Sequence, residues 1–526
     1  MCKKSLVAIL TILILAAFIG TAGAADLVVA TPYEPSVDPH FLYLSSNAAY
    51  ARNVFAMLVD RDEDANIDPK LCLAESWKVI DDYTWEFKLR KGVKFHNGLE
   101  ITAEDVVFSI DRIPKVPNNP ASYVMNIQMI DDVIIKDSYT LIIKTNEPYP
   151  LLPRRLAGVS IVSKEVVGDA TTADFTSGKV AIGTGPYKFV EYVPGDHYTI
   201  ARFDDYFGPR PAYDKVTFKI MSDDAARVAA LLGGDVDIVE NFPPTEVPTL
   251  KNKKGFKVVG RPSSRTVFLE IDSNRDQSPY VTDLEGKPLA ANPLKDVRVR
   301  DAISKAIDRN AIVEKVMLGL AEPANQLIGK GLYSYNPEIK DEPYDPQRAK
   351  QLLAEAGYPN GFGLTIHAPN DRYVNDEKIA QAVAQMLARI GLKMKVETMP
   401  KSVYFGRLNK REFSLAMLGW DNSLTGSSLM CIAAAFHTYD KEKGYGTWNG
   451  GGYSNAEFDK AIEQASITFD LKKHEELLQK SMKILIDDQA AIPLHSQYTI
   501  FGAKEGVDYT PRVDEHFYAP LAKPAK

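Results

Sequence analysis

The feature that most constrains the fold is an alternation of strand and helix patterns over residues 364–422. Apolar and polar side chains alternate over residues 364–368 and again over 392–396, which predicts two strands. Between them, apolar residues recur at helical spacing over 379–390. Residues 413–418 form a third apolar segment that predicts another strand. Strand, helix and strand in this order indicate an open α/β sheet.

Two of these predicted strands end in loops with polar side chains. The first loop contains Arg372 and Tyr373, and the second contains Trp420, Asp421 and Asn422. Ligands of open α/β sheets bind beyond the carboxyl ends of the strands, and a guanidinium is suited to a carboxylate. We interpret the two loops as a recognition site for a small polar or zwitterionic molecule. The alternative is a surface loop with an exposed arginine and a packed tryptophan.

The first 24 residues have the pattern of a secretory signal. Lys3 and Lys4 precede an almost wholly apolar run over residues 6–19, and Ala22-Gly23-Ala24 offers a cleavage site. The apolar run is short for a membrane span. We therefore expect a soluble, exported chain that begins at Ala25.

Net charge, length and cysteine content limit the classes of partner, the number of domains and the possible disulfides. The full chain of 526 residues has a net charge of −7, and loss of the two signal lysines makes it −9, which argues against nucleic acid as a partner. The mature chain is long enough for two or three domains. Cys72 and Cys431 remain after cleavage, and they could form a disulfide in an oxidising compartment or stay free.

Enzyme motifs are missing from the sequence. It contains no Gly-x-Ser-x-Gly elbow, no phosphate-binding loop and no Cys-x-x-Cys pair. His474-Glu475 begins like a zinc-protease helix, but Leu478 stands where the second histidine is needed. We expect no catalytic residue, no cofactor and no metal site. One alternative stays open, in which His437 and His495 meet in space and bind a metal complex.

Two helix starts and one loop can be located from local signals. Asn375 is placed as the N-cap of the 379–390 helix, and Thr102 with Asp105 forms a capping-box variant. Asn97-Gly98 predicts a tight turn ahead of that second helix. An initial strand over residues 27–30 leads into a proline-rich loop containing Tyr33, which either faces a ligand or serves as a rigid turn.

The most specific sequence runs over residues 73–113, LAESWKVIDDYTWEFKLRKGVKFHNGLEITAEDVVFSIDRI. It closely resembles the signature of the family 5 solute-binding proteins of ABC importers, the dipeptide, oligopeptide and nickel group. The resemblance extends over essentially the whole mature chain. Further matching segments are Gly183-Thr184-Gly185-Pro186-Tyr187, Gly233-Gly234-Asp235-Val236-Asp237-Ile238, Asp296-Val297-Arg298-Val299-Arg300, Tyr344-Asp345-Pro346 and Gly452-Tyr453-Ser454-Asn455.

This resemblance implies a two-lobed periplasmic-binding-protein fold of type II, with a hinge between the lobes. Lobe I would comprise residues 25–263 and 496–526, with an extra subdomain over about 55–185. Lobe II would comprise residues 264–495. The chain would cross between the lobes near 262–266 and 494–497.

The resemblance also assigns roles in the cleft. Arg372 stands where dipeptide-binding relatives place the arginine that pairs with the peptide carboxylate. Those relatives hold the ligand's amino group with an aspartate three residues after the tryptophan, a position occupied here by Ser423. The nearest acid is Asp421. From their positions on loops and near the crossings, the other expected ligand contacts are Tyr373, Trp420, Asn422, Tyr33, Trp448, Arg265 and His495. The alternatives are that Trp448 packs on lobe II, that Arg265 forms an exposed ion pair and that His495 packs within its strand.

The function implied is that of a periplasmic component of an ABC importer. It would capture a short peptide or a similar small carboxylate-bearing solute and deliver it to membrane permease subunits, acting as a monomer. A nickel complex or another non-peptide solute is the alternative ligand. A secreted hydrolase and a signalling sensor are the alternatives from other classes.

Overall fold

The computed structural model describes residues 26–119, 122–423 and 425–526, so the predicted signal over residues 1–24 lies outside the described residues. Strands make up one large sheet and two small ones. In chain order they are β1 Asp26–Thr31, β2 Ala74–Asp81, β3 Thr84–Leu89, β4 Ile130–Asp137, β5 Thr140–Thr145, β6 Tyr187–Val193, β7 His197–Arg202, β8 Lys215–Ile220, β9 Ile238–Val239, β10 Phe256–Ile271, β11 Val281–Thr282, β12 Ala321–Pro323, β13 Gly363–Pro369, β14 Lys393–Met399, β15 Leu415–Asp421, β16 Ala491–Lys504, β17 Val507–Tyr509 and β18 Ala522–Pro524.

Helices cover the sheets and connect their strands. In chain order they are α1 Ser45–Val54, α2 Ala103–Arg112, α3 Leu152–Leu156, α4 Lys164–Val167, α5 Thr172–Thr176, α6 Asp224–Gly233, α7 Val247–Lys251, α8 Val297–Lys305, α9 Arg309–Ala311 (continued by a π-helical turn, Ile312–Val316), α10 Pro346–Glu355, α11 Asp376–Ala388, α12 Lys401–Leu408, α13 Leu429–Ala435, α14 Ala456–Ser466 and α15 Leu471–Asp487.

The large sheet consists of two groups of strands joined by a long antiparallel pair. Its order is β11-β13-β15-β10-β16-β9-β1-β8-β7-β6, with β14 on β13 and β12 on β16. We call the side with β1 and β6–β9 the first lobe, and the side with β11 and β13–β15 the second lobe. Strands β10 and β16 run through both sides.

The pairing of β10 with β16 is interrupted midway. Pro262 pairs with Tyr498 and Thr266 pairs with Ser496, and the register shifts between these two pairs. On the Pro262 side of the shift, β16 is also hydrogen-bonded to β9 of the first lobe. On the Thr266 side, β10 is also hydrogen-bonded to β15 of the second lobe. The shift therefore lies where the sheet changes from one lobe to the other.

A four-stranded antiparallel sheet, β2-β3-β5-β4, forms a separate layer attached to the first lobe. Phe87 and Leu141 are fully buried in its core together with Val106 of α2. Helix α2 begins with the predicted capping box, in which the Thr102 N–H donates to Asp105 Oδ2 at 2.8 Å. The meander and helix predicted for residues 73–113 are confirmed.

The strand and helix pattern of residues 364–422 is also confirmed. Strand β13 pairs in parallel with both β14 and β15, and α11 connects β13 to β14. All seven residues of β13 are buried, because elements pack on both of its faces and not on one. Helix α12, between β14 and β15, was not predicted.

The N-cap prediction for α11 is wrong in its chemistry. Asn375 adopts a left-handed conformation with φ 57°, and its side chain donates to the Val316 carbonyl at 2.9 Å and does not cap the helix. Asp376 instead accepts from the N–H groups of Arg372 and Tyr373, each at 3.0 Å. The first carboxylate of α11 therefore fixes the loop before the helix.

Two further findings concern the whole fold. Cys72 and Cys431 are both buried and free, so the disulfide that the sequence allowed does not form. Across the described ranges, the search for a helix long and apolar enough to cross a membrane finds none.

Candidate ligand-binding site

A cavity of about 360 Å³ lies between the two lobes. Its volume is in the usual range for small-molecule sites, about 300–1,000 Å³. Most of the lining comes from three parts of the chain: the region of α1 and the segment after it, the end of β15 with the following loop, and residues 512–518. Arg265 of β10, Arg372 before α11 and residues 157–158 also contribute. The charged lining residues are Arg52, Arg61, Arg265, Arg372, Arg512, Asp421 and Asp514.

The second-lobe wall contributes Arg372 from the loop before α11. Its guanidinium lies 5.3 Å from the ring centroid of Tyr373 and, among the described residues, has no carboxylate partner. Tyr373 is buried, and its hydroxyl accepts from the Gly419 N–H at 2.8 Å. A side chain at Gly419 would collide with the Tyr373 ring, since an added Cβ would be 2.6 Å from it. Tyr373 thus fixes the Arg372 loop against the end of β15.

Asp421 lies at the end of β15 on the same wall. Its carboxylate accepts from the Ser264 hydroxyl, from the Ser423 N–H at 2.9 Å and from the Ser423 hydroxyl at 3.0 Å. All of these donors are neutral, and no cation among the described residues forms an ion pair with Asp421. Ser423 therefore replaces the expected aspartate with a hydroxyl that supports the neighbouring carboxylate.

The rest of this β15 loop is held by packing and backbone contacts. Trp420 lines the cavity and meets the ring of Trp448 edge-on at 6.4 Å. Asn422 is buried and donates to the Leu327 carbonyl at 2.8 Å. Asn422 thus acts mainly as an anchor for the loop.

Arg265 lines the cavity where β10 enters the second lobe, but its charge is already matched. Its Nε and Nη2 bond both oxygens of Glu515 at 2.8–3.1 Å. Burial alone would favour the uncharged form of each group. The attraction of Arg265 nevertheless lowers the pKa of Glu515 below its ordinary value. Glu515 also accepts from Gln497 of β16 at 3.1 Å. This pair joins both crossing strands to the loop over residues 512–518.

The first-lobe wall contains a cluster of charges that the sequence did not suggest. Arg52 bonds Asp60 at 2.7 Å and Asp514 at 3.4 Å, and Arg512 bonds Asp514 at 2.9 Å. Burial would raise the pKa of Asp514, but Arg512 and then Arg52 hold it well below its ordinary value. Arg61 is the remaining charged residue of this cluster. In sequence, Asp60 and Arg61 look like an exposed charged turn, and only the tertiary fold buries them.

The two lobes touch at the rim of the cavity. Arg61 donates to the Ser423 carbonyl, Arg154 donates to the Thr425 carbonyl at 2.9 Å, and Arg155 approaches Met430 Sδ at 3.2 Å. These arginines belong to the first-lobe side and their partners follow β15. The two lobes are therefore in contact across the rim of the cavity.

Four residues that were expected to contact ligand do not line the cavity formed by the described residues. His495 is fully buried in β16, and burial lowers its pKa to about 4. Tyr33 packs edge-on against His516 at 6.4 Å, and Trp448 packs behind Trp420. Tyr373 likewise supports the wall without lining it.

The metal alternative gains no support from the histidines. His437 stacks on Tyr445 at 4.3 Å and bonds the Thr438 carbonyl, whereas His495 lies beside Val267 in the β10–β16 pair. Within the described ranges, the search for groups of three or more metal-ligating side chains finds none. The structure does not bring the two histidines to one site.

The fold and the inter-lobe cavity define a two-lobed solute-binding protein. The chain belongs to the family of bacterial extracellular solute-binding proteins, family 5, whose middle region matches residues 68–441.

Curated relatives and solved structures agree with this assignment. The chain is 29% identical over 491 residues to the oligopeptide-binding protein AppA of Bacillus subtilis, covering 88% of this chain and 84% of that protein. It is 29% identical over 461 residues to the dipeptide-binding protein of Escherichia coli, covering 82% and 81%. The fold matches that of the periplasmic binding protein DppA from Helicobacter pylori in complex with the peptide STSA, with a TM-score of 0.71, 24% identity and coverage of 96% and 99%.

Proposed function

We propose that this protein captures a short peptide in the inter-lobe cavity and delivers it to the permease of an ABC importer. The observation that supports this most directly is the pair Arg372 and Asp421. Both line one cavity, and in the described part of the chain neither has an oppositely charged partner. A zwitterion supplies one group for each of them.

The chemistry of the second-lobe wall fits the two ends of a peptide. The Arg372 guanidinium presents several N–H donors to a carboxylate, which is a strong, charge-assisted interaction. Asp421 is held by neutral donors and keeps acceptor capacity for an ammonium group. The proposal is also supported by relatives that are named as oligopeptide- and dipeptide-binding proteins.

We further propose that the lobes divide at residues 263/264 and 495/496. The register shift between Pro262 and Thr266 supports this division, because a break in the ladder leaves fewer hydrogen bonds to resist bending. Ligand bound to one lobe gains contacts from the other only on closure, so it shifts the population toward the closed form. The permease would recognise that form.

The remaining parts of the proposal concern location and partners. The protein acts in the periplasm after cleavage of residues 1–24, as a monomer without catalytic activity of its own. ATP hydrolysis belongs to another subunit, because the sequence contains no phosphate-binding loop.

Calorimetry with blocked peptides tests this proposal. Trialanine should bind the ligand-free protein, and amidation of its carboxyl terminus should weaken binding at least tenfold because Arg372 loses its partner. Acetylation of the amino terminus should weaken binding by a similar factor through Asp421. Arg372→Gln should bind free and amidated trialanine equally weakly, whereas the control Arg348→Gln, at an exposed ion pair with Glu355, should match wild type. If all forms bind wild type equally, the proposed orientation is wrong.

A further inference from the structure

The buried charges of the first-lobe wall do not balance. Three guanidiniums, those of Arg52, Arg61 and Arg512, face only two carboxylates, those of Asp60 and Asp514. All five residues are at most 9% exposed. Except for Asp60, which lies directly behind them, these residues line the cavity.

Arg61 is the member of this cluster that lacks a carboxylate. Arg52 bonds both aspartates, and Arg512 bonds Asp514. In the part of the chain that the structure describes, the Arg61 side chain makes one hydrogen bond, to the Ser423 carbonyl, and its Nε is buried with no acceptor. Burial and the nearby Arg52 lower the pKa of Arg61 to about 10, so it is still charged at neutral pH.

A buried charge without a partner is costly, and proteins normally pair such groups. The carbonyl of Ser423 supplies only a partial negative charge. A ligand anion that entered the cavity beside Arg61 would give the cluster its third negative group. The low dielectric around these buried side chains would strengthen the attraction.

We propose that the Arg52–Arg61–Arg512 cluster is a second anion-binding site, and that the ligand is an acidic short peptide. Its terminal carboxylate pairs with Arg372 on the second-lobe wall, and its side-chain carboxylate pairs with Arg61 on the first-lobe wall. This inference rests on the proposed function and specifies the ligand further. Because Arg61 also touches Ser423 across the cleft, an acidic ligand would bind best when the lobes are closed.

Matched acidic and amide peptides test this site. The probes are the tripeptides Ala-Glu-Ala and Glu-Ala-Ala with their glutamine counterparts, which are nearly equal in shape and differ by one negative charge. In calorimetry at pH 7 and low salt, wild type should bind the better acidic peptide at least tenfold tighter than its counterpart. Arg61→Gln should lose that preference, and Arg61→Lys should keep part of it. Arg348→Gln is the control for removal of a distant positive charge.

Thermal unfolding of the ligand-free variants separates this role from a structural one. Removal of an uncompensated buried charge should leave the unfolding midpoint of Arg61→Gln unchanged or higher than that of wild type. A lower midpoint, with equal weakening of acidic and amide peptides, would mean that Arg61 only fixes the Ser423 loop and would overturn the inference.

The peptide measurements also separate this inference from the proposed function. Equal binding of acidic and amide peptides by wild type would overturn the second anion site and leave peptide capture standing. If none of the four peptides binds, the proposed function itself is wrong, and the second site fails with it.

Discussion

The two walls of the cavity use charge in opposite ways. On the first-lobe wall, Arg52, Asp514 and Arg512 are buried and form ion pairs within the protein, which neutralise most of their charge. On the second-lobe wall, Arg372 and Asp421 are held by an aromatic ring and by neutral hydrogen-bond donors. Their charges remain free for a ligand. The comparison indicates that a charged residue in a cleft serves binding only where the fold fixes it without neutralising it.

Two buried carboxylates illustrate the same difference away from the ligand. Asp514 lies between two arginines, which hold its pKa well below its ordinary value despite burial. Glu270, in β10, lacks an ion-pair partner among the described residues, accepts from the Gly451 N–H at 3.1 Å, and burial raises its pKa to about 8. The protonation state of a buried carboxyl group therefore depends on its nearest cations and not on burial alone.

The largest effect is expected when an ion-paired carboxylate is removed from the first-lobe wall. Asp514→Asn removes the carboxylate that bonds both Arg52 and Arg512 and leaves their charges buried. The free energy of unfolding should fall by about 3–5 kcal/mol. Urea unfolding followed by circular dichroism measures this loss.

Asp508→Asn is the matched control for that substitution. Asp508 also pairs with a cation, Lys257, but its side chain is 57% exposed, so its removal should change stability by no more than about 0.5 kcal/mol. Equal losses in the two variants would mean that the charge cluster is not a structural element.

A smaller, pH-dependent effect is expected at Glu270. A carboxyl group with a raised pKa binds its proton more tightly in the native than in the unfolded state, so its contribution to stability falls as pH rises from about 4.5 to about 8. Glu270→Gln remains neutral throughout. Between pH 5 and pH 8, wild type should lose roughly 1–3 kcal/mol relative to this variant.

Unfolding experiments at several pH values, run in parallel on both proteins, measure that difference. Parallel stability curves over this range would contradict an uncharged Glu270 in the native state. A wild type that gains stability relative to the variant would give the opposite sign and would mean that a cation reaches this carboxylate.

The smallest effect is expected at Tyr373, which positions the second-lobe wall. Tyr373→Phe keeps the ring under Arg372 but removes the hydroxyl that bonds the Gly419 backbone. Loss of the two hydrogen bonds between this hydroxyl and the Gly419 backbone should weaken binding of trialanine about two- to tenfold. Tyr83→Phe, at a residue that is 50% exposed, is the control and should bind like wild type. An unchanged affinity in Tyr373→Phe would mean that the Arg372 loop is fixed by other contacts.

Local patterns predicted the framework of the second-lobe wall well. Strand β13, helix α11 and strand β15 follow from periodicity, and their order places the Arg372 loop and the Asp421 loop at the same edge of the sheet. Helix α12 was missed. The role of Asp376 was also missed, because a carboxylate that bonds the preceding loop has the same sequence signature as one that merely suits a helix start.

The first-lobe wall could not be predicted in the same way. Arg52, Arg61 and Arg512 come together only when the first and last parts of the chain fold side by side, a contact over more than 450 positions. Conversely, His495 has the right position along the chain for a cleft residue, but β16 directs it into the core. Whether each of these residues reaches the cavity depends on the tertiary fold, which sequence periodicity does not reveal.

Mass spectrometry of the ligand that co-purifies with the mature protein tests the central claim most directly. Native spectra compared with a denatured extract should reveal short peptides rich in Asp and Glu. Arg372→Gln, purified in the same way, should contain little or none of them, and Arg61→Gln should contain peptides without the acidic bias. A single non-peptide compound that is retained by both variants would contradict peptide capture through Arg372.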